Sequence, residues 1–294
     1  MYFVLLILFS HSVFSQSGDF KATQREKNKP VPEGCMWFRD NLFMDCYEVS
    51  NAAYREYVEW EKSHKGKDSE DYRAALPDTL VWRVPLAYNE PYVDYYFRHP
   101  AYNHFPVIGI TPGQAINYCE WRTHREKELM LTRIGLLPIG DAKKQNDTIW
   151  IDSVLTAMGI NIKFRLPTEE EWEAAARAGN EHAIFPWEGT GMYDNKGNLR
   201  ANIMIAGTGS MKPDEAVSEI TGYCRSFSPN EAGLYCMAGN VSEMVFKTSL
   251  EKQVILKGGS WRQTGFHAMI SSYDIYIRPD TYIGFRCVCE FSWH

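Results

Sequence analysis

Seven cysteines are the residues best equipped to do chemistry: Cys35, Cys46, Cys119, Cys224, Cys236, Cys287 and Cys289. A thiolate can act as a nucleophile, bind a soft metal or pair as a disulfide. None of the seven forms CxxC, so neither a zinc ribbon nor a thioredoxin-like centre is indicated. The odd number leaves at least one thiol unpaired, and spacing does not decide connectivity. On a strand Cys287 and Cys289 face the same side, so their roles are interchangeable. Imidazoles offer less. His99 and His104 flank Pro100, which breaks helical register, and His267 stands alone. Ser260 sits in KGGSW without the flanking pattern of a nucleophile elbow, and reads as a tight turn beneath Trp261.

The elements that must position these residues are partly marked. Ser50 reads as an N-cap for a helix to about Lys62, ended by Gly66. Residues 69–106 are rich in Pro, Tyr, Asp and Asn without a sustained period, which predicts long ordered loops packed down by aromatics. Thr111, Pro112 and Gln114 give a capping box with a first-position proline, and open a helix carrying Cys119. The charged stretch 123–144 predicts a surface excursion, with a short helix near 151–158. Thr168 to Glu171 (TEEE) is a second capping box, and Gly179 a C-cap. Short strands are expected at 254–256 and 285–289, joined by long loops.

With 294 residues, a net charge of -6 and 45% hydrophobic residues, the chain can bury a large core, and disorder, collagen and coiled coil are excluded. No global basic field exists to hold nucleic acid. The apolar run 3–9 (FVLLILF) is too short to span a bilayer, for which about 20 residues are needed. With Val13 and Ser15 after it, the run reads as a secretory signal peptide over 1–15. Residues 16–34 form an extended polar lead-in, and 35–294 form one domain with no linker or repeat. Export places the cysteines in an oxidising compartment, which favours disulfides.

In order along the chain stand YEVSNAAYREYVEW (47–60), FPVIGITPGQAINYCEWR (105–122), FRLPTEEEWEAAARAG (164–179), PWEG (186–189), GLYCMAGNVSEMV (233–245), ILKGGSW (255–261) and IGFRCV (283–288). Together they resemble the successive blocks of the formylglycine-generating enzyme family, the sulfatase-modifying factors. The resemblance implies a mixed, loop-rich α+β fold related to C-type lectins. The segment 76–107 further resembles the gliding-motility and type IX secretion lipoproteins of the Bacteroidota, although no lipobox cysteine is present.

The family's enzymes oxidise a substrate cysteine using O2 and copper held by two thiolates. The matching positions here are Gln263 and Ala268, neither of which supplies a soft ligand, so copper is not expected. The resemblance then implies a catalytically silent protein, with Ser260, Trp261, Arg262 and Gln263 lining a partner or ligand groove. The expected partners are cell-envelope proteins of the secretion or gliding apparatus, with the protein exported to the periplasm or the outer membrane. Alternatives are an oxidase with a rearranged site and a lectin-like carbohydrate binder. The cofactor implied is Ca2+, at Gly239, Val241 and Glu243 and at Asn202, Ile203 and a later carboxylate, matched to Asp214. Cys236 replaces the family's oxygen ligand and is a disulfide candidate with Cys224. The family pairing falls on Cys119 and Cys287; Cys35 and Cys46 are a second candidate pair, and Cys289 the odd thiol.

Overall fold

A computed structural model describes residues 32–138, 140, 142–205, 220–251 and 253–293. The segment assigned to a signal peptide lies outside the described residues, as does Asp214. Chain order is β1 (Cys35–Arg39), β2 (Leu42–Asp45), α1 (Asn51–Lys65), α2 (Glu70–Ala75), α3 (Glu90–Tyr95), α4 (Pro112–Arg133), α5 (Ala142–Gln145), α6 (Thr148–Ala157), β3 (Ile160–Arg165), α7 (Glu169–Arg177), β4 (Ser242–Phe246), β5 (Val254–Lys257), β6 (Asp274–Ile275), β7 (Ile283–Gly284) and β8 (Val288–Trp293). This is a mixed α+β fold in which long loops join short strands.

Three of the helices start where local chemistry dictates. The hydroxyls of Ser50, Thr111 and Thr168 accept from the backbone N–H groups of Ala53, Gln114 and Glu171, and the last two caps are reciprocal boxes. Helix α4 corrects the expected surface excursion, because it continues for 22 residues through Arg133. Its second half is rich in Arg, Glu, Lys and Leu, all good helix formers, and it buries only a narrow stripe that includes Glu126, Met130 and Leu131. The expected loop 69–106 contains α2, α3 and two 3-10 turns, knotted around buried Trp82 and Tyr96, whose ring centroids lie 5.0 Å apart. At the end of α7 it is Ala178 that takes the left-handed conformation, one residue before Gly179.

Two four-stranded sheets organise the rest, in orders β1-β2-β8-β3 and β6-β5-β4-β7. The first is antiparallel throughout. In the second, β4 pairs with β7 in parallel. Helices α1 and α4 cover the first sheet, where Tyr54 stacks on Tyr118 at 5.5 Å and meets Phe285 edge-on. Helix α7 inserts the fully buried Trp172 against both sheets. Such a side chain typically contributes several kcal/mol, since Trp→Ala in a core costs about 3–5. No helix among the described residues is long and apolar enough to cross a membrane.

Candidate functional site

After β5 the chain reverses at Gly258 and Gly259, both at positive φ. A Cβ on Gly259 would lie 2.8 Å from the carbonyl carbon of His267, so only glycine lets this turn abut the 267–268 segment. The turn drives Ser260 fully inside and presents Gln263 to three polar partners. The Gln263 amide oxygen accepts from the hydroxyls of Ser242 and Ser260, each at 2.8 Å. Its amide nitrogen donates to Asp274 Oδ2 at 2.5 Å. Asp274, on β6, also stands 3.9 Å from His267 Nε2. Ala268 is completely buried among Phe185, Ala201, Ile203 and Ala238. The two positions that matter for copper therefore hold a hydrogen-bonded amide and a methyl in an apolar core. Neither offers a soft donor.

Of the four groove residues, Ser260 is enclosed and Trp261 to Gln263 reach the surface. The Trp261 indole donates to Thr281 O at 3.2 Å. The Arg262 guanidinium lies over both Trp261 and Tyr282, and pairs with Asp280 at 3.2 Å.

Behind this turn lies a buried ionic cluster. Arg286, with no exposed surface, donates to both oxygens of Glu243 at 2.7 and 2.6 Å, and to the carbonyls of Asp45 and Tyr235. The Trp172 indole gives Glu243 a third donor at 2.8 Å. Glu48 is beside them, with one oxygen accepting from Asn240 at 2.9 Å and the other without a partner. Burial pushes its carboxyl up to about 8, opposed by Arg286 and reinforced by Glu243. An acid whose pKa is raised by folding gives its full stabilisation below the unfolded value, near 4.5, and loses it as pH rises through about 8. Glu48→Gln is thus expected to flatten that fall and to raise stability at pH 8 by several kcal/mol, the rise from 4.5 to about 8 being worth about 1.4 kcal/mol per pKa unit. Urea unfolding at pH 5 and pH 8 checks it; an unchanged pH dependence would count against Glu48 as the titrating group.

Gly239 and Asn240 share positive φ, which lets this loop dock on the Asn202 backbone: Asn240 N–H donates to Asn202 O at 2.8 Å. Glu243 has already committed both oxygens to Arg286 and Trp172, and Cys236 offers sulfur, so the Gly239, Val241 and Glu243 set is a poor fit to calcium. Asn202 differs: its side-chain oxygen is buried and lacks a partner, the state of a hard-cation ligand. Ile203 follows it in the chain.

Cys119 and Cys287 are brought together, their sulfurs 3.5 Å apart and buried. Cys224 and Cys236 are both buried beside Glu48, and burial raises both thiols well above their ordinary range. Cys35 and Cys46 are not brought together. Cys35 Sγ donates to Asp45 Oδ1 at 3.3 Å and also faces Arg122, whereas Cys46, one residue past Asp45, borders Arg225 and Arg286. Alternation along the strand separates them. Cys289 is buried, and burial raises its thiol.

Ser242, Asp274, Glu48 and Arg286 were not singled out from sequence. Glu48, Ser242 and Arg286 carried a signal only as members of the family blocks at 47–60, 233–245 and 283–288, and Asp274 lies outside every block.

The sulfatase-modifying factor enzyme 1-like domain matches residues 8–291. The inactive C-alpha-formylglycine-generating enzyme 2 of Bos taurus is 33% identical, over 83% of this chain and 75% of that protein. The formylglycine-generating enzyme of Mus musculus is 26% identical over 69% of this chain; the match spans 48% of the mouse protein, about half its length. The structure of PvdO from Pseudomonas aeruginosa superposes with a TM-score of 0.47 and 18% identity, covering 85% of this chain and 80% of that one.

Proposed function

The chain belongs to the sulfatase-modifying factor family, and on that premise we propose that it is an exported, catalytically silent member that works by binding a cell-envelope partner. One observation carries the reading. The Gln263 amide is engaged by Ser242, Ser260 and Asp274, and Ala268 is sealed in apolar packing. Regaining the chemistry would require two thiolates where an amide network and a methyl now stand. The name of the bovine relative, an inactive enzyme, agrees with this reading.

Export is inferred from the apolar run 3–9. The link to gliding or type IX secretion is inferred from segment 76–107, which leaves Leu80, Leu86 and Tyr88 exposed as a surface for a partner. Calcium, if held, is assigned to the Asn202 side chain and the Ile203 carbonyl, where the cation would clamp the loop that contacts Gln263. Given Cu(I), O2 and a cysteine-containing peptide, the protein is expected to yield no aldehyde above a protein-free control and to retain no stoichiometric copper. Peptide oxidation at a rate proportional to protein would overturn the silent reading. Affinity purification of the tagged protein from its own cells tests the rest: envelope proteins recovered in fixed ratio support it, and recovery of the protein alone removes it.

A further inference from the structure

A cleft of ≈ 1190 Å³ opens between the C-terminal end of α7, the PWEG loop and the turn at 227–231, and the family chemistry above makes no use of it. It exceeds the roughly 300–1,000 Å³ of a typical small-molecule site, so it has length for several rings in line. Its aromatic wall is rigid. Trp187 lies parallel to Phe185 at 5.1 Å between centroids, and its indole N–H donates to Gly191 O at 3.0 Å, which fixes the plane of the ring. Tyr193 stands nearby with 41% of its surface exposed. Phe227 also lines the cleft, at φ +67, a conformation that a bulky residue adopts only under constraint and that concentrates at ligand sites.

The polar groups of the cleft narrow the ligand. Asp194 is consumed by its own turn, accepting from Lys196 N, Asn198 N and Asn198 Nδ2. Arg177 is paired with Glu173 at 2.9 Å. Among the described residues, Glu188, Glu231 and the Asn195 amide make no side-chain hydrogen bond, and Arg200 commits only Nε, to Tyr193 O. Two free carboxylates against one guanidinium leave the cleft slightly acidic, which disfavours phosphate, nucleotide and sulfated ligands. No strand of either sheet borders it, so an extended peptide has no edge to join. What remains complementary is a ligand with flat apolar faces and a rim of neutral hydroxyls.

We propose that this cleft binds a neutral oligosaccharide, with pyranose C–H faces stacked on Trp187 and Tyr193 and hydroxyls bonded by Glu188, Asn195 and Arg200. The site is separate from the Gln263 turn, and the proposal does not rest on the silent-enzyme reading. The test is saturation-transfer NMR and calorimetry of the full-length protein against cello-, xylo-, manno-, chito- and β-1,3-gluco-oligosaccharides, with a sulfated oligosaccharide and an unstructured peptide as competing probes. At least one neutral sugar is expected to bind. Tyr193→Ala is expected to weaken it about five- to tenfold, the size of one lost aromatic contact. Ser228→Trp, placed at an exposed lining position, should abolish binding by filling the cleft while leaving the melting temperature unchanged. Failure of every neutral sugar, binding that survives both substitutions, or preference for the sulfated sugar or the peptide would overturn the assignment.

Discussion

Arg286→Met is expected to lower the unfolding free energy by about 3–5 kcal/mol, the usual cost of removing one partner from a buried ion pair. The side chain is wholly enclosed, and four acceptors depend on it: both oxygens of Glu243 and the carbonyls of Asp45 and Tyr235. Methionine fills much of the volume, so the loss measures orphaned polarity more than a cavity. Glu243 would keep only the Trp172 indole, and Glu48 would lose the cation that favours its ionised form. Without that cation Glu48 would stay protonated to still higher pH in the folded state, so the penalty should grow as pH rises through about 8. The companion double variant, Arg286→Met with Glu243→Leu, should recover part of the loss, because removing both charges also removes the uncompensated carboxylate. Recovery should stop short of wild type, since the Asp45 and Tyr235 carbonyls still lack their donor. Urea unfolding of the three proteins decides the matter; a single-variant cost under about 1 kcal/mol would mean that the pair is not the buried pivot described here.

The cluster also explains what could be read in advance and what could not. Helices α1, α4 and α7 announced themselves because a cap is local: a hydroxyl meets an N–H three residues on, as at Ser50, Thr111 and Thr168. Strands β1, β2 and β4 did not, being only four or five residues long; β1 and β4 pair with the next strand in the chain, but β2 also pairs with the distant β8. Asp45 N–H donates to the Cys287 carbonyl and Cys287 N–H to the Asp45 carboxylate, across 242 positions that no window of sequence contains. Strand β3 had the alternation INIKFR in plain view, buried at every second residue, yet the apolar helix α6 leads directly into it and blurs the change of period. The same distinction holds at the site. Gln263 and Ala268 were legible because they fall in the segment that follows the ILKGGSW block. Ser242 and Asp274, which hold Gln263 in place, were not, because nothing local marks a hydrogen bond to a residue 21 or 11 positions away. Cys35 illustrates the same limit: nearness in sequence says nothing of which residue a strand position faces, and the partner opposite Cys35 is Asp45.

Gly239→Ala is the second large effect expected, a loss of about 2–5 kcal/mol. Of this, about 1–2 is the strain of an L-residue at φ +75, and about 1–3 is overpacking. The added Cβ would stand 2.5 Å from Asn202 O and 3.0 Å from the Asn202 carbonyl carbon and nitrogen, all backbone atoms that cannot swing aside. Gly197→Ala separates the two contributions, since Gly197 has φ +82 with nothing within 4 Å of its Cβ, and should cost the strain alone. At roughly 2–4 °C per kcal/mol for a domain of this size class, Gly239→Ala should melt on the order of 10 °C below wild type and Gly197→Ala only a few degrees below. The consequence reaches the site. Pushing Asn202 away moves Met204, whose N–H donates to Gln263 O at 2.9 Å, and so loosens the turn that seals the former copper position. Equal melting temperatures for the two variants would show that the Asn202 contact yields easily, and that the loop carrying Asn240 is not held by close backbone approach.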